Sequence, residues 1–247
     1  MTGVSRRAGI GYAVARRLRE LGADVFVHGF APHDAAQPWG ADPAGVPALA
    51  AELGAAAHVE CDFADPDAPA ACMSAAVAAL GHVDILVANH AMSCDQDLEQ
   101  LDAAAIDATL AVNVRATLLL VQAYAARHDD ARPGGRVVLF TSGQHLEPMA
   151  RELPYAASKG ALHGVTASLA AHLAPRGILV NALNPGPTET GWATPELTSH
   201  ELRRLPLGRW GSPDDAARIV GWLASDEAAW VTGQVLTSDG GFSLSRG

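Results

Sequence analysis

Short apolar runs alternate with longer stretches whose apolar residues recur at helical spacing along almost the whole chain. The short runs are rich in Val, Ile and Leu and predict strands at Val25–His28, His58–Cys61, Asp84–Ala88, Arg136–Thr141, Ile178–Leu183 and Gln234–Thr237. The longer stretches predict helices at Ile10–Leu21, Asp67–Leu80, Ala103–Ala126, Tyr155–Ala174 and Pro213–Ala224. This alternation predicts an α/β fold, a doubly wound parallel sheet with helices on both faces.

Two segments lack either periodicity, Ala31–Pro47 and Pro185–Arg209, and both are rich in proline. Loops of this length inside a compact domain commonly form the rim or lid of a binding site, although a plain surface insertion is the simpler alternative. We expect residues 187–208 to form a substrate lid within one domain that spans residues 1–247.

A glycine-rich loop from Thr2 to Gly11 opens the chain and runs directly into the first predicted helix. Glycines allow the backbone to approach a pyrophosphate, and the helix N-terminus offers free N–H groups and the positive end of its dipole. A bare glycine turn is an equally common interpretation of such a loop. As a nucleotide site, the loop would use Gly3, Ser5, Arg6, Arg7, Gly9, Ile10 and Gly11.

A strand should precede this loop, yet only Met1 does. In a doubly wound dinucleotide-binding sheet that first strand is central and pairs on both sides. The arginine-rich, alanine-rich composition suggests a GC-rich gene, in which a GTG valine codon at the end of the strand could be taken for a start. We therefore expect the natural chain to begin some residues earlier, and an in-frame stop codon directly before Met1 would exclude this.

Polar residues follow several predicted strands at the point where each strand ends: Asp62, Asn89 and Ser142, with Pro185 after a fourth. Because parallel strands end at one edge of a sheet, these residues and the glycine loop should meet there, where such folds bind ligands.

Tyr155 and Lys159 lie four residues apart at the start of a predicted helix, so they share one face. An ammonium beside a phenol favours the phenolate, and we expect it to lower the pKa of Tyr155 from about 10. A phenol tuned in this way is a general acid and base. A solvated Tyr/Lys pair is the alternative, but Lys159 is the one lysine among 17 basic residues.

Composition narrows the function classes further. With 49% hydrophobic residues and a formal charge of -10, the chain can bury a core but lacks the positive field of a nucleic-acid or membrane-binding surface. Three cysteines without a CxxC pair suit a reducing cytosol, and the histidines show no metal-ligand spacing, so we expect no metal. Arginines interrupt any apolar run near the N-terminus, which predicts no signal peptide and a cytoplasmic location. We interpret the apolar stretch around Leu110–Ala126 as a buried helix of the core.

The chain resembles the short-chain dehydrogenase/reductase superfamily, a Rossmann-type fold, in its ~250-residue single-domain branch. The family's YxxxK corresponds to Tyr155–Lys159 and its serine to Ser142. Its helical asparagine corresponds to Asn113, and its PG motif to Pro185-Gly186 with Thr190 following. The stretch from Pro206-Leu207-Gly208-Arg209 to Asp239-Gly240-Gly241 is particularly similar to 3-oxoacyl-carrier-protein reductases.

This resemblance implies hydride transfer between a nicotinamide and a carbonyl or secondary-alcohol carbon. Tyr155 would exchange the proton, Ser142 would hold the same oxygen, Lys159 would bind the nicotinamide ribose, and Asn113 would hold a water linked to Lys159. Further cofactor contacts are implied for Asp62, Phe63, Asn89, Pro185, Gly186, Thr188 and Thr190. A homotetramer, or a homodimer, is implied through the helices Ala103–Ala126 and Tyr155–Ala174.

The sequence departs from the family pattern in two places. Its glycine loop is two residues longer than the usual TGxxxGxG, and His90-Ala91 stands where the family has Ala-Gly after the asparagines. We interpret His90 as structural rather than catalytic.

The end of the second strand decides the cofactor, because a carboxylate there would hold the ribose hydroxyls of NAD. The sequence has His28-Gly29-Phe30 instead, and Arg6 or Arg7 could meet a 2′-phosphate. NADP(H) is therefore favoured over NAD(H).

The substrate stays open at this stage. The resemblance suggests a 3-oxoacyl thioester. The net negative charge of the chain disfavours docking of an acidic carrier protein, so a secondary-metabolite ketone or another small alcohol is the alternative substrate. We expect Ser93, Cys94, Gln144, His145 and the lid residue Trp192 to line the pocket. A catalytically silent, nucleotide-binding regulator is the alternative function, and the complete set of four family residues argues against it.

Overall fold

Strands and helices alternate through the chain in the computed structural model, which describes residues 1–132 and 134–245, with the backbone alone at 195–197. The strands are β1 Phe26–Gly29, β2 Ala57–Glu60, β3 Ile85–Ala88, β4 Gly135–Phe140, β5 Ile178–Asn184 and β6 Val235–Thr237. The α-helices are α1 Ile10–Glu20, α2 Ala31–Ala35, α3 Gly45–Glu52, α4 Ala68–Leu80, α5 Ala103–Leu110, α6 Ala116–Ala125, α7 Leu153–Leu173, α8 Pro195–Leu202 and α9 Pro213–Leu223. Every predicted strand and helix is present within a few residues of its expected bounds.

All strand pairs are parallel, and they form two groups. Strands β1 and β2 pair with each other, and β3, β4, β5 and β6 form a sheet in that order. Residues Met1–Val4 run between the two groups and bond to both: the Thr2 N–H donates to the Val87 carbonyl at 3.0 Å, and the Val4 N–H donates to the His28 carbonyl at 2.8 Å. Residues Met1–Val4 therefore bridge the two groups of strands at the centre of the doubly wound order.

Two apolar clusters cover the opposite faces of the strands, as predicted for a doubly wound sheet. Helices α1 and α9 bury Val14, Leu18 and Val220 on one face. Helices α4, α6 and α7 bury Met73, Leu120 and Leu173 on the other. Burial on both faces explains why β4 reads as a continuous apolar run instead of an alternating one.

The predicted helix Ala103–Ala126 is interrupted by a π-helical turn at Ala111–Arg115, between α5 and α6. A π-turn carries one extra residue and often marks a functional position, and the buried Asn113 lies in it. By length and composition alone the stretch Ala103–Ala125 could cross a membrane. Here its inner side packs into the core through residues such as Val121 and Tyr124, as expected for a buried helix.

The two aperiodic segments are less irregular than expected. The first contains α2 and the start of α3, and the proposed lid 187–208 contains α8. Pro32 and Pro195 occupy first-turn positions, where the missing N–H of proline costs nothing, so proline-rich sequence did not exclude helices. Side chains 195–197 of the lid, and residues 133, 246 and 247 of the predicted domain, lie outside the described part.

Candidate active site

A cavity of about 530 Å³ opens at the carboxyl edge of the strands, beside the glycine loop. Most of the residues predicted to bind a cofactor line it: Gly3, Ser5, Arg6, Gly9, Ile10, Gly11, Asp62, Phe63, Asn89 and Thr190. The prediction that the strand ends meet the glycine loop is confirmed for Asp62 and Asn89, whereas Ser142 lines a second cavity and Pro185 lines neither. The cavity lies beside the N-terminus of α1 and the strand ends, the position at which such folds bind dinucleotides.

Glycine is required at two positions of the loop. Gly3 has a φ of 73°, and a Cβ on Gly11 would lie 2.0 Å from the Gly3 carbonyl oxygen. The side-chain amide of Asn89 donates to that carbonyl at 3.1 Å. The backbone is thus held close to the N-terminus of α1, as a pyrophosphate site needs. These residues fit a nicotinamide dinucleotide, with the phosphates at the loop and α1.

Asp34 is a site residue that the sequence analysis missed. It is buried, lines the cavity, accepts a hydrogen bond from the Trp39 indole N–H at 2.9 Å, and contacts the Ser5 hydroxyl. Arg6 forms an ion pair with it at 3.1 Å and donates to the Thr190 carbonyl at 2.9 Å. The end of β1 does lack a carboxylate, but α2 places Asp34, five residues beyond Gly29, in the cavity wall.

Arg7 is not part of the cavity, contrary to prediction. Its guanidinium pairs with Glu52 at 2.6 Å and Asp42 at 3.4 Å on the outer side of the loop. The two extra loop residues place adjacent arginines on opposite sides, so only Arg6 faces the site.

Two histidines, His28 and His90, form part of the wall of this cavity. His28 stacks on Phe63 with ring centroids 4.0 Å apart, and Asp62 lies exposed beside them. His90 is buried, with its ring nitrogens 2.8 Å from the Thr2 hydroxyl and 3.1 Å from the Val112 carbonyl. Burial lowers the pKa of His90 well below its usual value, which agrees with the structural role expected for it.

Ser142, Tyr155 and Lys159 meet beside the carboxyl ends of β4 and β5. The Ser142 side chain lies next to the Tyr155 phenol and acts to lower its pKa. The Lys159 ammonium lies 5.5 Å from the centroid of the Tyr155 ring and donates to the Phe140 carbonyl at 2.9 Å. The i, i+4 spacing on α7 therefore produces the predicted shared face.

The expected lowering of the Tyr155 pKa is not found. Burial raises the pKa of Tyr155 to about 12, the Glu152 carboxylate acts in the same direction, and the neighbouring Ser142 side chain opposes them. Burial also lowers the pKa of Lys159 to about 8. The Lys159 ammonium is bonded to the Phe140 carbonyl and lies over the phenol ring. Its charge therefore does not offset the effect of burial on the pKa of the Tyr155 hydroxyl.

Asn113 reaches the same region from the π-turn. Its side-chain oxygen accepts from the Met92 N–H at 2.6 Å, and its amide donates to the Met92 carbonyl at 3.0 Å and the Ser158 hydroxyl at 2.9 Å. Asn113 thus joins the strand-end loop to α7 through its side chain. The water-holding role implied by the resemblance stays a prediction.

A second cavity, of about 390 Å³, begins at Ser142 and extends under the lid. Its walls carry Trp192, Trp210, Glu147, Glu201 and Arg204. Trp192 lines it as predicted, whereas Ser93, Cys94, Gln144 and His145 are not among its lining residues.

The PG motif lies between the two cavities. Gly186, with a φ of 64°, lines the second cavity. Pro185 and Thr188 line neither cavity, and the buried Thr188 hydroxyl lies 3.3 Å from the Pro185 carbonyl and 3.1 Å from the Gly186 carbonyl. Pro185 and Thr188 therefore shape the loop that carries Thr190. Among the described residues no group of three or more His, Cys, Asp or Glu could hold a metal ion.

Comparison with known proteins decides the family. A family model described as "Enoyl-(Acyl carrier protein) reductase" matches residues 3–243. The uncharacterized oxidoreductase YjdA of Bacillus subtilis is 40% identical over 98% of this chain and 95% of its own. The chain belongs to the short-chain dehydrogenase/reductase family. As in its relatives, the expected chemistry is that of an oxidoreductase using a nicotinamide cofactor.

Two further members of the short-chain dehydrogenase/reductase family are informative. L-rhamnose 1-dehydrogenase (NAD(P)(+)) of Azotobacter vinelandii is 35% identical over 98% of this chain and 94% of its own. A short-chain dehydrogenase of Burkholderia cenocepacia, solved in complex with NADP, is 35% identical, with a TM-score of 0.84 over 98% of this chain and 95% of that one. These relatives use nicotinamide cofactors or are solved with one, as members of this family do.

Proposed function

We propose that the protein is a cytoplasmic, NADP(H)-dependent oxidoreductase that interconverts a small ketone and its secondary alcohol. The observation that carries the proposal is the placement of Ser142 at the wall of the second cavity and next to the Tyr155 phenol. The nicotinamide supplies or accepts the hydride. Ser142 orients the substrate oxygen, and the Tyr155 hydroxyl gives it a proton. A phenol with a pKa of about 12 is fully protonated at neutral pH, which favours the reduction direction.

The choice of NADP(H) rests on the charged side chains that line the first cavity. Arg6 presents a guanidinium there, and guanidinium groups bind phosphate with good geometry. Asp34 is buried and already engaged by Ser5, Arg6 and Trp39, so its oxygens are occupied. The complex of the Burkholderia relative with NADP supports the same choice.

For the substrate, the second cavity favours a small hydroxylated ketone or alcohol. Carboxylates, an arginine and two tryptophan faces form its walls, and these groups suit hydroxyls and short apolar edges better than a long acyl chain. The rhamnose dehydrogenase relative acts on a compound of this kind. A 3-oxoacyl thioester is the second candidate, supported by the description of the matching family.

A substrate screen that follows NADPH absorbance tests the proposal. The panel should contain hydroxylated ketones, simple cyclic ketones and a 3-oxoacyl thioester, each with wild type, Tyr155→Phe and Tyr12→Phe. Tyr12 is the matched control, because its hydroxyl bonds to Glu52 on the outer side of α1 at 2.7 Å.

We expect Tyr155→Phe to lose at least about a hundredfold in turnover, since general acid catalysis contributes that much. NADPH binding should persist in this variant, and Tyr12→Phe should retain activity. Tight NADPH binding with no turnover of any substrate by wild type would favour the silent regulator instead.

We also propose that the protein is a homotetramer, or a homodimer. The outer side of Ala103–Ala125 is apolar and only partly covered, and the exposed face of α7 carries small residues that include Ala157, Ala161 and Gly164. Two such faces can pack closely across a two-fold axis.

A further inference from the structure

The side chain of Glu152 lines the second cavity, and among the described residues its carboxylate has neither a hydrogen bond nor an ion pair. The other carboxylates that are described in that wall are engaged. Glu147 and Glu201 pair with Arg204 at 2.7 Å and 2.9 Å. Asp239 accepts from two backbone N–H groups, both at 2.9 Å. Glu152 is therefore the carboxylate of this wall that is available to a ligand.

Glu152 lies close to the reacting groups. It directly precedes α7 and stands three residues before Tyr155, so the two side chains are about one helical turn apart, with Cβ atoms roughly 5–6 Å from each other. Its charge acts on the Tyr155 phenol, and Ser142 lines the same cavity. A substrate whose oxygen lies beside Ser142 and Tyr155 consequently has its next carbon within reach of Glu152.

No cation of the cavity wall compensates the charge of Glu152. Burial raises the pKa of this carboxyl, and the charge of Asp95 acts in the same direction. Arg204 is held by its two carboxylates and lies 4.4 Å above the ring of Phe242. Arg151 is exposed and forms no ion pair with its neighbour Glu152. A half-buried carboxylate without a partner favours a ligand that brings a positive charge, because a bond between two charged groups is stronger than one to a neutral hydroxyl.

Two tryptophans in the same cavity wall suit a cation as well. Trp192 and Trp210 pack edge to face, with ring centroids 5.9 Å apart. Both indole N–H groups are already bonded to backbone carbonyls, at 3.0 Å and 3.1 Å. The rings therefore offer the ligand their π-surfaces, which attract cations, and no further hydrogen-bond donor.

We propose that Glu152 determines substrate specificity by binding an ammonium group, so that the substrate is a small ketone with an amine on the carbon next to the carbonyl. This inference rests on the proposed oxidoreductase function and narrows its substrate class. The reaction at the carbonyl is unchanged: its carbon takes the hydride that NADPH supplies, and its oxygen takes the proton of Tyr155. The amine stays protonated and bound to Glu152 throughout.

The test uses two ketones of nearly equal size, aminoacetone and hydroxyacetone, which differ in the group that would meet Glu152. Both are assayed at pH 7 with NADPH and with wild type, Glu152→Gln and Glu227→Gln. Glu227 is the matched control, because it is exposed on the 3₁₀ turn Asp226–Ala228 and lines neither cavity. Fluorescence titration of NADPH shows whether each variant keeps an intact cofactor site.

We expect the kcat/KM of wild type for aminoacetone to exceed that for hydroxyacetone by at least about tenfold, since an ion pair shielded from water outweighs a bond to a neutral hydroxyl. Glu152→Gln should raise the KM for aminoacetone by at least about tenfold and change the kcat/KM for hydroxyacetone by less than about threefold. NADPH binding should be unchanged, and Glu227→Gln should match wild type with both ketones.

Equal kcat/KM values of wild type for the two ketones would overturn this inference, and so would an equal loss for both in Glu152→Gln. In either case the turnover itself would leave the proposed oxidoreductase function standing. If wild type reduced cyclic ketones but neither of these two, the inference alone would be wrong. If it reduced no ketone at all, both proposals would fall.

Discussion

Lys159 is buried on the face of α7 that packs against β4, with its ammonium on the Phe140 carbonyl and beside the Tyr155 ring. Burial lowers the pKa of Lys159 from 10.5 to about 8, so keeping its ammonium charged reduces the stability of the folded protein. A planar guanidinium would not fit the same contacts. We expect Lys159→Arg to lose most turnover while retaining the charge.

The pKa shift of Lys159 also predicts a dependence of stability on pH. Between about pH 8 and 10.5 the unfolded chain binds a proton at Lys159 that the folded protein has released, so its stability should rise across that window. Below pH 8 the buried charge lowers the free energy of unfolding by its full amount, about 3 kcal/mol for a shift of this size.

Lys159→Met should therefore be inactive and yet more stable than wild type by about 1–2 kcal/mol at pH 7, after allowing for the lost bond to Phe140. Urea unfolding at pH 7 and pH 10 measures this, and the advantage should shrink at the higher pH. A variant that is less stable than wild type at pH 7 contradicts the assignment.

The Arg6–Asp34 pair sets the cofactor preference in our proposal. Asp34→Asn removes the charge that competes with a 2′-phosphate for Arg6, and we expect NADPH binding to tighten about threefold to tenfold relative to NADH. Arg6→Gln should weaken NADPH binding by at least about tenfold and affect NADH less. Fluorescence titration measures both ratios.

Asp42→Asn is the control for this pair, because Asp42 bonds to Arg7 on the outer side of the loop. Its cofactor ratio should match wild type. If Arg6→Gln weakened both nucleotides equally, Arg6 would have no part in selecting the phosphate.

At the scale of elements, the junction between the glycine loop and α1 has no spare space. The Cβ position at Gly11 coincides with the carbonyl of Gly3, and backbone atoms cannot move aside as a flexible side chain does. The positive end of α1 is thereby held against the cofactor cavity.

Gly11→Ala should consequently displace α1 from the loop, lowering stability by at least about 2 kcal/mol and weakening NADPH binding about tenfold or more. Thermal unfolding and nucleotide titration measure the two effects. Glu20→Ala at the far end of α1 removes exposed ion pairs and should change stability by less than about 0.5 kcal/mol. Normal nucleotide binding by Gly11→Ala would show that the contact is not needed.

At the scale of the whole molecule, the apolar face of Ala103–Ala125 and the small-residue face of α7 are what the proposed subunit contact would cover. A Cβ on Gly164 would meet no other atom within 4 Å, so a large side chain there is tolerated by the single chain. Gly164→Trp should therefore preserve the fold but block close packing of two copies.

Light scattering should give wild type a mass that is a multiple of 25.5 kDa, four-fold for a tetramer, and Gly164→Trp about half of it or less. Gly164→Ala is the conservative control and should keep the wild-type mass. A wild type that is monomeric at micromolar concentration would refute the assembly.

Local pattern was sufficient for much of this protein. The alternation of apolar runs predicted the six strands and the five long helices found in the described residues. It could do so because burial of one or both faces of an element sets the spacing of apolar residues along the sequence. The spacing of Tyr155 and Lys159 identified the reactive face of α7, since residues four apart on a helix are neighbours whatever surrounds them.

Only the tertiary structure decided which charges face the site and how burial changes their chemistry. Three features depend on groups that are distant in sequence or on burial: the ion pair of Arg6 with Asp34, the ion pair of Arg7 with Glu52, and the raised pKa of Tyr155. These features could not be predicted from local pattern, because side-chain packing and desolvation are properties of the assembled fold.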